Sequence, residues 1–113
     1  MEKSMQQMIE NYISALQKIY GSHLKQIILY GSYARGDYTE QSDVDLMILV
    51  DLPETQLEVG ADALSELGFY YNVAYDIWVM PIVKNINHFR YWNQAYPFYA
   101  NVMKEGVVLY DAA

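Results

Sequence analysis

Asp43 and Asp45 stand two residues apart at the head of the run DVDLMILVD, residues 43–51. On an extended strand both side chains project to one face, with Cα atoms roughly 7 Å apart. Carboxylates at that separation converge on one cation, or on two cations about 3.5–4 Å apart. Aspartate is depleted in strand interiors, and burying an unpaired carboxylate is costly. A pair leading into Leu-Met-Ile-Leu-Val therefore points to metal binding over a solvated strand end. Upstream, Gly31-Ser32 closes the run KQIILY. At a strand-to-helix turn, a glycine and a serine let backbone N–H groups and a hydroxyl approach phosphate oxygens. Arg35 follows, either a cation in reach of the same phosphate or a surface arginine.

The rest of the composition narrows the chemistry. The chain has 113 residues, is 53% hydrophobic and contains no cysteine. One domain, residues 1–113, with a single modest core is expected. Disulfides, thiolate zinc sites and cysteine nucleophiles are excluded. His23 and His88 lie far apart, without ligand spacing around them. Net charge is −7, from seven basic and fourteen acidic residues. With no Lys/Arg cluster, long nucleic acid is a poor substrate. The acidic balance suits metal binding, or a partner with a basic patch of its own. The first twenty residues have no apolar signal-peptide core, and no apolar run approaches the roughly 20 residues that span a bilayer. A cytoplasmic location, with no membrane contact, is the expectation.

The elements that must position the carboxylates follow from periodicity. Met5, Met8, Ile9, Tyr12, Leu16, Ile19 and Tyr20 form one helical stripe ending at Gly21. Residues 25–30 and 43–51 read as strands. Pro53 opens a helical stretch with Leu57, Ala61, Leu64 and Leu67, stopping near Gly68. Residues 70–80, rich in Val, Ile and aromatics, read as a third strand closed by Pro81. Residues 83–105 read as helix broken at Pro97, and 107–110 as a short last strand. This order predicts an α/β (α+β) fold, a small mixed sheet flanked by helices.

The full pattern is Gly31-Ser32, ten residues, then Asp43-Val44-Asp45. It resembles the nucleotidyltransferase superfamily that includes DNA polymerase β. The strings Gly31-Ser32-Tyr33-Ala34-Arg35-Gly36 and Ser42-Asp43-Val44-Asp45-Leu46 resemble its minimal nucleotidyltransferase branch, small proteins often paired with HEPN-domain toxins. Pro97-Phe98-Tyr99 and Lys104-Glu105-Gly106-Val107 also look like the end of that family. The resemblance implies the polymerase β-like fold and a metal-bound nucleoside triphosphate, with ATP as substrate and two Mg²⁺ ions. It implies nucleotide contacts from Gly31, Ser32, Arg35 and Ser42, and a third metal-binding carboxylate on a later strand. Asp76 is the candidate, because it would sit between apolar neighbours in the 70–80 strand, where an unpaired aspartate makes little sense. Asp37, Asp51 and Asp62 fit that role less well.

Only about 60 residues follow Asp51, which leaves little to build an acceptor pocket. The missing wall is expected from another protein or from a second copy of the chain. The resemblance implies an antitoxin that transfers AMP to a tyrosine of a HEPN ribonuclease. Two alternatives are an antibiotic-type transferase with a small-molecule acceptor and a non-catalytic toxin-binding module. Residues 69–99 hold 11 of the 17 aromatics, too many for so small a core to bury easily. They are core residues with exposed hydroxyls or a partner or self-association surface.

Overall fold

A computed structural model describes residues 3–112. Its centre is a mixed four-stranded sheet in the order β3-β2-β1-β4. The strands are β1 (Leu24–Tyr30), β2 (Val44–Val50), β3 (Val79–Asn85) and β4 (Val107–Asp111). β1 runs antiparallel to both β2 and β4, while β2 and β3 are parallel. The helices are α1 (Lys3–Tyr20), α2 (Ser32–Arg35), α3 (Ala61–Tyr75), α4 (Ile86–Trp92) and α5 (Pro97–Glu105).

Alternation along the strands sorts the core into two layers. Val44, Leu46, Ile48 and Val50 of β2 face α1, burying Ile9, Tyr12 and Leu16 with them. Met47 and Leu49 face the other way, with Ile28, Ile86, Phe89, Tyr99 and Val102 beneath α4 and α5. α1 is amphipathic as its stripe predicts. β2 is buried over almost its whole length, as a strand covered on both faces must be. Among the described residues no helix is long and apolar enough to cross a membrane.

The structure corrects the reading of residues 53–85. After Pro53 comes a 3-10 turn, Glu54–Gln56, and α3 begins only at Ala61. It does not stop at Gly68 but runs on to Tyr75. Residues 70–75 are thus helix, and Asp76 is not a mid-strand residue: it caps the C-terminus of α3 in the left-handed conformation, φ 54° and ψ 43°. The physical reason is packing. Leu64, Leu67 and Tyr71, at helical spacing, seat α3 against the α1 layer, and tertiary contact outweighs the β-propensity of the intervening aromatics. β3 begins at Val79 and contains Pro81 instead of ending there. Proline is tolerated because β3 is an edge strand, whose outward N–H positions need no partner. Residues 83–85 are strand too. Asn85 then caps α4, its Oδ1 accepting from the His88 N–H at 2.9 Å, while its Nδ2 donates to the Leu52 carbonyl at 2.7 Å.

Candidate active site

The chain leaves β1 through Gly31, at φ 76° and ψ −155°, a backbone region essentially open to glycine alone. The Gly31 carbonyl accepts from the Ala34 and Arg35 N–H groups at 3.1 and 3.0 Å, so one residue both ends the strand and starts α2. Across the ladder, Tyr30 pairs with Asp45. A Cβ on residue 31 would collide with Asp45 Oδ2. The glycine is therefore required twice, by its backbone angles and by the carboxylate lying against its Cα.

Asp43 immediately precedes β2, and Asp45 is its second residue. Asp43 is exposed and Asp45 half-buried. Burial raises the Asp45 pKa above its ordinary value, the Asp43 charge raises it further, and Arg35 opposes both. The two carboxylates thus repel each other at one end of the sheet, beside the Gly31-Ser32 turn. Tyr30, pushed up to about 12 by burial and by Asp45, stands protonated beside them.

Other expected site residues are placed differently. Ser42 Oγ accepts the Thr39 N–H at 2.8 Å, and the Ser42 N–H donates to the Thr39 carbonyl at 3.1 Å. Its hydroxyl braces the loop that delivers Asp43. Arg35 Nε donates to Asp37 at 3.2 Å and its Nη1 to Glu105 at 3.2 Å, so its guanidinium spans two carboxylates. Asp76 is exposed at the end of α3. Two residues on, the Trp78 carbonyl accepts the Val44 N–H at 2.8 Å, which brings this segment alongside the start of β2. Among the described residues no group of three or more acidic or histidine side chains is close enough to hold a metal. The structure brings together Gly31, Ser32, Asp43 and Asp45; Asp76 forms no three-carboxylate group with Asp43 and Asp45, though its segment runs alongside the head of β2.

Glu105 is the residue that sequence reasoning missed. Its Oε1 accepts the Gly31 N–H at 3.3 Å and Arg35 Nη1 at 3.2 Å, tying the end of α5 to the turn. One signal was available. An acid in the last turn of a helix opposes the helix dipole and so calls for a cationic or N–H partner elsewhere.

The fold and the paired acids at the head of β2 are those of a nucleotidyltransferase. The chain superposes on a nucleotidyltransferase structure from Sulfolobus solfataricus with a TM-score of 0.59 and 18% identity, covering 97% of this chain and 86% of that one. It superposes on a toxin–antitoxin structure with AMP-PNP at a TM-score of 0.55 and 22% identity, covering 91% and 73%. At those identities the likeness is one of fold. The sequence goes further: residues 9–108 match the nucleotidyltransferase domain family, and the chain belongs to it. It is 37% identical over 105 residues to a Methanocaldococcus jannaschii protein that carries the name protein adenylyltransferase, covering 90% of this chain and 94% of that protein. A second protein of the same name and organism is 38% identical over 77 residues, covering 68% and 76%.

Proposed function

We propose that this nucleotidyltransferase moves AMP from ATP onto a hydroxyl of a partner protein, a tyrosine of a HEPN-domain toxin, and so acts as its antitoxin. The observation that carries the reading is the Asp43–Asp45 pair set against the Gly31-Ser32 turn. Two mutually repelling carboxylates, one of them half-buried, are an oxygen donor set suited to a hard divalent cation. Asp43 and Asp45 would hold Mg²⁺, with Asp76 contributing to a second ion. Bound there, Mg²⁺ supplies charge neutralisation at the phosphate oxygens.

The chain's own residues do the rest. The Gly31-Ser32 turn receives the β- and γ-phosphates with backbone N–H groups and the Ser32 hydroxyl. The acceptor oxygen attacks the α-phosphorus, a new P–O bond forms, and the bond to the bridging oxygen breaks. Pyrophosphate leaves with that electron pair, and the hydroxyl proton passes to a carboxylate, a role we assign to Asp76. Catalysis here is positioning and charge compensation. Arg35, already bridging Asp37 and Glu105, stiffens the turn.

The names of the Methanocaldococcus relatives support adenylyl transfer to protein, and the toxin–antitoxin fold neighbours support a toxin partner. The test is to incubate the protein with Mg²⁺, each labelled nucleoside triphosphate and the product of the neighbouring reading frame, and then to take mass spectra. A mass gain of one AMP on a partner tyrosine is the expected result. Label on small molecules alone, or on nothing, defeats the reading.

A further inference from the structure

We infer that the acceptor protein docks on the β3 side of the carboxylates, on an apolar strip running from Trp78 and Met80 to Phe69 and Val73 of α3. Its docking segment is apolar and flanked by Lys or Arg. This rests on the nucleotidyl-transfer reading above and adds where the acceptor sits and what kind of segment presents it.

The side follows from sheet order and from the geometry of substitution at phosphorus. In-line displacement puts the entering hydroxyl and the departing pyrophosphate on opposite sides of the α-phosphorus. The Gly31-Ser32 turn lies at the end of β1, one neighbour of β2, and β3 is the other neighbour. With the outgoing phosphates on the β1 side, the acceptor comes over β3. Parallel register pairs Val44 with Val79 and Asp45 with Met80. Val44 and Val79 are both buried in the α1 layer, so Asp45 and Met80 share the opposite face, and Asp43 and Trp78 precede them in step.

That side is apolar and open. Trp78 is 58% exposed and Met80 47%. Both also line a groove of about 430 Å³ that passes round the edge strand to Leu64, Gly68 and Phe69 of α3. On the outer side of α3, Phe69 is 70% exposed and Val73 69%. Phe69 and Val73 share that outer stripe with the exposed Asp62 and Glu66, so it offers large apolar side chains set among acids, a surface suited to a partner that is both apolar and basic.

Charge defines the occupant. Residues 36–83 hold ten of the fourteen acidic residues and none of the seven Lys and Arg. Asp62 and Glu66 on α3 and Asp76 at its end are exposed beside the strip. A strip with this charge repels phosphate-bearing acceptors and attracts a basic protein flank. A cationic small molecule would meet the acids but leave Phe69 and Val73 uncovered.

Two exposed positions away from the carboxylates test this: Phe69→Glu and Val73→Glu. The probe is a short amphipathic tyrosine peptide of Leu and Val with Lys at both ends, alongside a copy with Glu at both ends. The wild type should transfer AMP to the Lys peptide at least tenfold faster than to the Glu peptide. The variants should lose at least tenfold in that transfer, while their affinity for Mg²⁺–AMP-PNP stays within twofold. In Trp92→Phe the one remaining tryptophan is Trp78, and the Lys peptide should shift its emission to the blue. The docking assignment is overturned if the wild type binds AMP-PNP but does not prefer the Lys peptide, or if the variants transfer as well as wild type. It is also overturned if Trp78 emission does not move, or if light scattering shows a wild-type dimer that Phe69→Glu dissociates. A wild type that binds no nucleotide overturns the nucleotidyl-transfer reading itself.

Discussion

The Cα of Gly31 rests against the carboxylate of Asp45, so closely that a Cβ there would meet Asp45 Oδ2. Gly31→Ala would therefore incur two penalties at once, a φ of 76° that L residues rarely adopt and displacement of a carboxylate assigned to metal. The strain alone costs about 1–3 kcal/mol. The expected outcome is that loss in urea-induced unfolding, together with pyrophosphate release reduced at least a hundredfold. Wild-type activity in a folded Gly31→Ala protein would show that the contact has no bearing on the chemistry.

Asp43 and Asp45 repel each other in the cation-free protein, and Asp45 is also partly desolvated. Function and stability should therefore move in opposite directions on substitution. Asp45→Asn removes a charge that burial disfavours, so the melting temperature without metal should stay level or rise by a few degrees. Asp43→Asn should likewise leave the fold intact. Pyrophosphate release should fall by about a hundredfold or more in each. Added Mg²⁺ should raise the melting temperature of the wild type more than that of either variant.

Glu105 accepts from the Gly31 N–H and from Arg35, and we assign it a positioning role. Glu105→Ala leaves the Gly31 N–H and Arg35 without this acceptor, so the KM for ATP should rise about tenfold with a smaller change in kcat. Glu105→Gln keeps an oxygen for the Gly31 N–H and should restore most of that loss. A purely structural residue would lower the melting temperature without this split between KM and kcat, and without rescue by glutamine. Arg35→Ala combined with Glu105→Ala should be less than additive if the two act as a unit.

His23 Nδ1 lies 2.7 Å from Asp51 Oδ1, and Lys25 lies 3.6 Å from Oδ2. The hydrogen bond to His23 is the main cause that lowers the Asp51 pKa from its ordinary 3.8, helped by Lys25. A carboxylate whose pKa is depressed in the folded state contributes stability above its unfolded value, and that stability is lost as pH falls through the folded value. Wild type should thus be more stable than Asp51→Asn at pH 5, and the two should converge below the lowered pKa. Thermal melts from pH 6 down to pH 2 check this. Parallel curves across that range would mean that the pair contributes nothing to folding.

Local patterns in the sequence were enough for the elements that carry Gly31, Asp43 and Asp45. The α1 stripe has one dominant face, and β1 and β2 are apolar runs bounded by turn residues, so periodicity and propensity agree there. They conflict between Gly68 and Met80. Phe69, Tyr70, Val73 and Ile77 favour strand, whereas Leu64, Leu67 and Tyr71 have the spacing that packs against α1. Packing decides, and β3 starts at Val79 and not at residue 70, where propensity places it. Glu105 was illegible for another reason: its partner Gly31 lies 74 residues away, and no local pattern encodes a contact at that range. Asp76 is not the mid-strand residue that its apolar neighbours suggest. The residue looked anomalous as a strand aspartate, and in the structure it is anomalous as the one non-glycine described with positive φ.

That conformation gives a way to separate the cap that Asp76 forms from the proton-accepting role proposed for it. As the C-cap of α3 it needs tolerance of the left-handed region, which asparagine shares and glycine exceeds. Asp76→Asn and Asp76→Gly should therefore both fold, with melting temperatures at or slightly above wild type for glycine. In the proposed role of proton acceptor it needs a carboxylate, which neither substitute has. The loss of general-base assistance is worth about 10²–10⁴ in rate, so pyrophosphate release in Asp76→Asn should drop by that order while Mg²⁺–AMP-PNP affinity changes far less. If Asp76→Asn turns over at the wild-type rate, Asp76 is a helix cap alone. The reaction must then be carried by Asp43 and Asp45 without a third carboxylate.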